Sequence, residues 1–116
     1  MRTYGRLSVS RTRLVEILSG RRGEAQAVTG DELAMLLHAK EEDNRSLREA
    51  IQELLRDGHP IGSSTKAGGG YYWIVTEDEL QKNIAAHRSR IREHEANIRA
   101  LEAGFRRGVS QPALLS

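Results

Sequence analysis

Residues 43–75 read DNRSLREAIQELLRDGHPIGSSTKAGGGYYWIV, and the pattern of this stretch decides how the chain folds. Leu47, Ile51, Leu54 and Leu55 fall at i, i+4, i+7 and i+8, which gives a helix one apolar side, while Asn44, Arg45, Arg48 and Gln52 share another. One side is thereby available for a core and one for a partner. Gly58 stands where a helix ends in a left-handed cap, and Pro60 cannot continue it. The chain must then become extended. HPIGSS reads as a short strand, TKAGGG as a turn, and YYWIV as a strand rich in β-favouring residues, entered through three permissive glycines. Alternation leaves two choices for its inward side: Tyr71 with Trp73, or Tyr72 with Ile74.

Upstream, Thr29 to Glu32 (TGDE) is a capping box that starts a helix near Gly30, with Leu33, Leu36 and Leu37 as its expected buried side. HAKEED links it to the next helix, where Asp43 or Asn44 can serve as cap. Asn44 is preferred because it brings Arg45 and Arg48 into the helix, although Ser46 to Glu49 is a competing capping box. Further back, Ser10 is the expected cap of a first helix with the stripe Leu14, Ile17 and Leu18, ended by Gly20; Val9 can staple onto Leu14. Arg21 to Gln26 form a polar loop, after which Ala27 and Val28 can add a very short strand. Residues 1–9 show no period and read either as a frayed terminus or as a basic arm laid on a DNA backbone or minor groove.

Downstream, Thr76 to Glu79 (TEDE) caps the last element. From there Leu80, Ile84, His87, Ile91, His94, Ile98, Leu101 and Phe105 follow at alternating spacings of 4 and 3, a seven-residue repeat with Ile and Phe at a and Leu or His at d. A helix of about 28 residues extends about 42 Å at 1.5 Å per residue, longer than a small core can cover. A homodimer through these eight residues is the simplest expectation. Its orientation stays open, since a parallel pair sets Arg90 against Glu95 and an antiparallel pair can set Arg88 against Glu95. Residues 108–116 read as a loose tail.

At 116 residues with 38% hydrophobic and 29% charged, the chain can build one modest core under a large wet surface, but not two. No signal-peptide pattern and no long apolar run is present, so a cytoplasmic protein is expected. With no Cys, disulfides and thiolate metal sites are excluded. The net charge of +2 says little about nucleic acid, whereas its distribution says more. Residues 1–22 carry six Arg against one Glu, residues 23–60 four basic against nine acidic, and residues 61–116 eight basic against six acidic. The charge is therefore polarised along the chain.

LREAIQELLRDGHPI followed by GGGYYWI resembles the recognition helix and wing of biotin-repressor-type winged helix-turn-helix domains, and in particular small winged-helix proteins of bacteriophages and prophages. The tokens are a helix ending in Asp57-Gly58, then Pro60-Ile61, then Gly70-Tyr71, and the resemblance covers residues 10–79. It implies an α+β winged helix-turn-helix over residues 10–75 with a two- or three-stranded sheet; the flexible arm (1–9), the dimerisation helix (76–107) and the tail (108–116) are read from the residues themselves. It further implies that the third helix lies in the DNA major groove while the wing touches an adjacent backbone. Carried over by position, Asn44, Arg45, Arg48 and Gln52 face the groove, where Arg can bond guanine and Asn or Gln adenine. Ser63 and Lys66 serve wing phosphate contacts, and Arg11 or Arg13 add backbone contacts from the first helix.

The implied function is sequence-dependent binding of double-stranded DNA by a homodimer, in transcription regulation or phage-type DNA replication and processing, inside a bacterial or phage-infected cell. One departure from the family pattern is the longer link with Glu41, Glu42 and Asp43 before the third helix. These carboxylates either repel phosphates or favour the positive end of that helix. The alternative function is a winged helix used as a protein-protein adaptor or assembly subunit, which the surrounding Glu49 and Glu53 favour.

Other chemistry finds little footing. AGGGYY lacks the Lys-Ser/Thr of a phosphate loop and the strand-to-helix context of a dinucleotide fold. His38, His59, His87 and His94 show no zinc-ligand spacing within a helical turn. No catalytic residue, cofactor or metal is expected, and the chain is not read as an enzyme.

Overall fold

The computed structural model describes residues 10–38 and 44–110. The arm expected at residues 1–9, the acidic link Glu41 to Asp43 and the end of the chain from residue 111 lie outside the described residues. The architecture is α+β: helices α1 (Arg11–Ser19), α2 (Gly30–Leu36) and α3 (Asn44–Arg56), then strands β1 (Ile61–Ser63) and β2 (Tyr71–Trp73), then a long helix α4 (Glu77–Ser110). A 3₁₀ turn at Glu24–Gln26 lies between α1 and α2. By its internal contacts the chain divides at Gln81/Lys82.

The helices begin where their caps dictate. Ser10 Oγ accepts the Arg13 amide at 3.2 Å. Thr29 and Glu32 close a reciprocal box, with Thr29 Oγ1 accepting the Glu32 amide at 3.1 Å and Glu32 Oε1 accepting the Thr29 amide at 3.0 Å. In α2 the inward side is Leu33, Ala34 and Leu37, whereas Leu36 is 40% exposed. The expectation for Leu36 was wrong because α2 is only two turns long, and Leu36 stands about 60° to the flank of Leu33 at 100° per residue, on the side away from Ala34. α3 is already helical at Asn44, which therefore is not its cap as preferred from the sequence, and the other candidate, Asp43, lies outside the described residues. Its buried side is Leu47, Ala50, Ile51 and Leu54. The helix closes with His59 N–H on Leu54 O at 3.1 Å and Gly58 N–H on Leu55 O at 3.0 Å, the paired bonds of a Schellman cap, with Gly58 at φ 103°.

β1 and β2 pair antiparallel with Ile61 opposite Trp73, Gly62 opposite Tyr72 and Ser63 opposite Tyr71. The connecting loop is closed by Ser64 N–H on Gly70 O at 2.8 Å. The short strand expected at Ala27 and Val28 is a single bridge: Val28 and Tyr71 exchange both backbone bonds, at 2.9 and 2.8 Å. Further along the same edge of β2, Trp73 donates to Arg21 O at 2.7 Å and accepts from Gly23 N–H at 2.9 Å. Gly70 makes this closeness possible, since a Cβ there would stand 2.9 Å from Val28 O, at a φ of 125°.

Leu14, Leu18, Val28, Leu33, Leu47, Ile51, Leu54 and Ile61 form the core, with Tyr71 and Trp73 packed against it. Tyr72, on the other side of β2, is fully buried as well. Both readings of the strand therefore hold in part, because the ribbon is covered on both sides.

α4 is preceded by Thr76, whose Oγ1 accepts the Glu79 amide at 3.1 Å. It continues through Gly108 to Ser110, so the loose tail expected from residue 108 begins no earlier than residue 111. Its 34 residues span about 51 Å at 1.5 Å each. Among the described residues no helix is long and apolar enough to cross a membrane.

Candidate nucleic-acid interface

The apolar side of α3 is consumed by the core, and its outer side carries the residues singled out from the sequence. Arg45, Arg48 and Gln52 are exposed, and together with Glu49 they line a shallow depression of about 360 Å³. Asn44 is partly buried and, with Arg48, borders a smaller cleft of about 130 Å³ against Gly30, Asp31, Leu47 and Tyr71. The four expected groove residues thus share one surface. Asp31 and Tyr71 were not foreseen beside it, because their presence depends on how the start of α2 meets α3, which no local spacing encodes.

The charges on this surface are unequally committed. Arg45 Nε lies 3.4 Å from Glu49 Oε2, with side chains 83% and 60% exposed. An exposed pair one helical turn apart contributes about 0.3–0.5 kcal/mol, so Arg45 can exchange that partner for an anion. Arg48 has no carboxylate at ion-pair distance among the described residues. Of the two arginines lining the depression, Arg48 is the less compensated.

The α1 arginines stand differently. Arg11 grips Glu53 of α3 through Nε at 2.7 Å and through its Nη2. That ties α1 to α3 and occupies the cation expected to reach a DNA backbone. Arg13 lies 3.4 Å from Glu16. Both remain exposed, but each faces a carboxylate, a feature invisible in the count of basic residues.

In the β1–β2 loop, Ser63 and Lys66 are exposed. Lys66 has no carboxylate at ion-pair distance among the described residues, and a turn closed by Gly69 N–H on Lys66 O at 2.8 Å holds its backbone. Ser64 is committed elsewhere: its hydroxyl donates to Glu24 Oε2 at 2.9 Å and accepts the Lys66 amide at 3.2 Å.

Behind the loop, one carboxylate organises several segments. Glu79 Oε1 accepts the Val75 and Thr76 amides at 3.0 and 3.3 Å, and its Oε2 accepts the Glu24 amide at 3.0 Å. These bonds, that from Val75 foremost, lower the Glu79 pKa from its ordinary 4.5. Glu32 is lowered too, chiefly by the Thr29 amide. Glu79 could be foreseen as the far end of a capping box, but its bond to Glu24, 55 residues away, could not.

The eight expected dimerisation residues all lie on α4, which is unbroken from Leu80 through Phe105. Ile84 is partly buried, whereas Leu80, His87, Ile91, His94, Ile98, Leu101 and Phe105 are exposed. His87 Nδ1 lies 3.0 Å from Arg90 Nη1. No group of three or more His, Asp or Glu side chains converges to hold a metal among the described residues. Set against protein-family models, curated proteins and solved structures, the chain matches none of them.

Proposed function

We propose that this protein is a winged helix-turn-helix that binds double-stranded DNA as a homodimer, with α3 entering the major groove and the β1–β2 loop resting on a neighbouring phosphate backbone. The observation that carries the reading is the outer side of α3, where Asn44, Arg45, Arg48 and Gln52 adjoin and where Arg48 has no carboxylate at ion-pair distance among the described residues. Such a surface offers bidentate donors to guanine and amide edges to adenine. Lys66 supplies a point charge for phosphate. Within this reading Arg11 pairs with Glu53 on the protein surface instead of touching DNA. The role follows as transcription regulation or phage-type DNA replication and processing in a cytoplasmic setting.

Arg48→Ala is expected to cost about 1–3 kcal/mol of affinity and to blunt sequence preference, while Lys66→Ala weakens binding to all sequences alike and reduces the salt slope by about one. Titration of fluorescent duplexes across a salt series measures both. If the two variants bind duplex as the unmodified protein does, the groove-and-loop assignment is wrong. A protein partner is the second reading, favoured by Glu49 and Glu53, which neutralise two of the nearby arginines. It predicts no duplex binding even at low salt.

A further inference from the structure

Burial divides the apolar stripe of α4 into two parts. Ile84 is partly covered, whereas Ile91 is 56%, Ile98 54%, Leu101 73% and Phe105 73% exposed. With His94 these four occupy consecutive a and d positions, so they form a single continuous seam. From Ile91 to Ala103 every residue is exposed, so among the described residues the seam is left uncovered. We infer that residues 91–105 pair with the same stretch of a second copy of this chain, parallel and in register. This deepens the homodimer of the preceding reading and does not depend on DNA binding.

The charges flanking the seam set the direction. In a parallel pair each g residue meets the e residue five positions further along the other chain. Arg90 then faces the partner's Glu95, twice by symmetry, and the remaining flanks (Asn97 with Glu102, Gly104 with Val109) bring no like charges together. An antiparallel pair instead sets e against e. Any antiparallel alignment confined to the exposed seam places Glu95 against the partner's Glu95, Glu95 against the partner's Glu102, or Glu102 against the partner's Glu102. Like charges in such positions repel. The antiparallel alignment that avoids this, with Arg88 opposite the partner's Glu95, draws Leu80 and Ile84 into the seam, and Ile84 is already partly covered. Parallel pairing needs only what is exposed. It also stacks Ile91 and Ile98 on their own copies at a, the arrangement that favours two strands. His94 at d and the short seam keep the association weak enough to dissociate on dilution.

The chain contains no Cys, so one introduced thiol reports the geometry. In full-length Leu101→Cys the two thiols sit in one d layer of a parallel pair, and mild oxidation is expected to convert most of the protein into a covalent dimer. The outward Arg92→Cys, and Leu101→Cys combined with Ile98→Asp, should stay largely uncross-linked. Equal cross-linking in the Ile98→Asp background would mean random collision and would overturn the seam. If the unmodified protein sediments as a monomer up to millimolar concentration, the seam fails together with the homodimer of the proposed function. A dimer in which Leu101→Cys does not cross-link to itself, but does cross-link to Ile98→Cys in a mixture, overturns the direction alone. Because no DNA is present, failure of duplex binding leaves each result unchanged.

Discussion

Glu79 receives backbone amides from Val75, Thr76 and Glu24 on two different oxygens, and this division makes its replacement informative. A glutamine has one acceptor oxygen, and its NH₂ would point a donor at the Glu24 amide. Glu32 uses a single oxygen, Oε1, for both the amide and hydroxyl of Thr29, so Glu32→Gln can keep its box. Glu79→Gln should therefore lower the melting temperature more than Glu32→Gln, which thermal unfolding at neutral pH would show. The pH dependence has a definite sign. Both carboxylates are lowered from the ordinary 4.5 on folding, so the unfolded chain binds protons first as pH falls. Their stabilisation is complete above about 4.5 and is lost as pH drops through the lower folded values. The double glutamine variant should flatten that acid limb; an unchanged slope between pH 5 and 3 would show that other carboxylates govern it.

At the scale of elements, Arg11 and Glu53 set α1 against α3 from positions 42 residues apart. Arg11→Ala should leave duplex affinity within about twofold, since the pair is on the surface and worth at most about 1 kcal/mol. A tenfold loss on Arg11→Ala, without unfolding, would put Arg11 on the nucleic acid after all. This pair also marks what the sequence could reveal. Ser10, Thr29 and Thr76 were legible as caps because each closes its hydrogen bond within three residues. The inward side of α3 was legible because 3.6-residue periodicity is local. Leu36 and the rivalry between Tyr71 and Tyr72 were not, since they depend on which neighbours arrive from elsewhere. The candidate site divides the same way: the Asn44, Arg45, Arg48 and Gln52 surface follows from helical spacing, whereas the compensation of Arg11 by Glu53 is set by tertiary packing.

For the molecule as a whole, the proposed pairing of copies depends on which edges and faces are left open. The outer edge of β2 is occupied by Val28 and by Arg21 to Gly23, bonded to Tyr71 and Trp73, and β1 offers only three residues on the other edge. Strand-to-strand growth therefore has little backbone to use, and helix-to-helix contact is the open route. Gly70 guards this arrangement. Gly58→Ala and Gly70→Ala both force a Cβ into positive φ, which costs about 1–2 kcal/mol in the left-handed region, but Gly58 has nothing within 4 Å whereas Gly70 abuts the Val28 carbonyl. Only Gly70→Ala should push Val28 off and bare the β2 edge. Warmed below its melting point, that variant should scatter light and bind amyloid dyes while Gly58→Ala stays clear; equal behaviour of the two would show that the Val28 bridge does not shield the edge. A single missing methyl group thus acts as a safeguard against fibre formation.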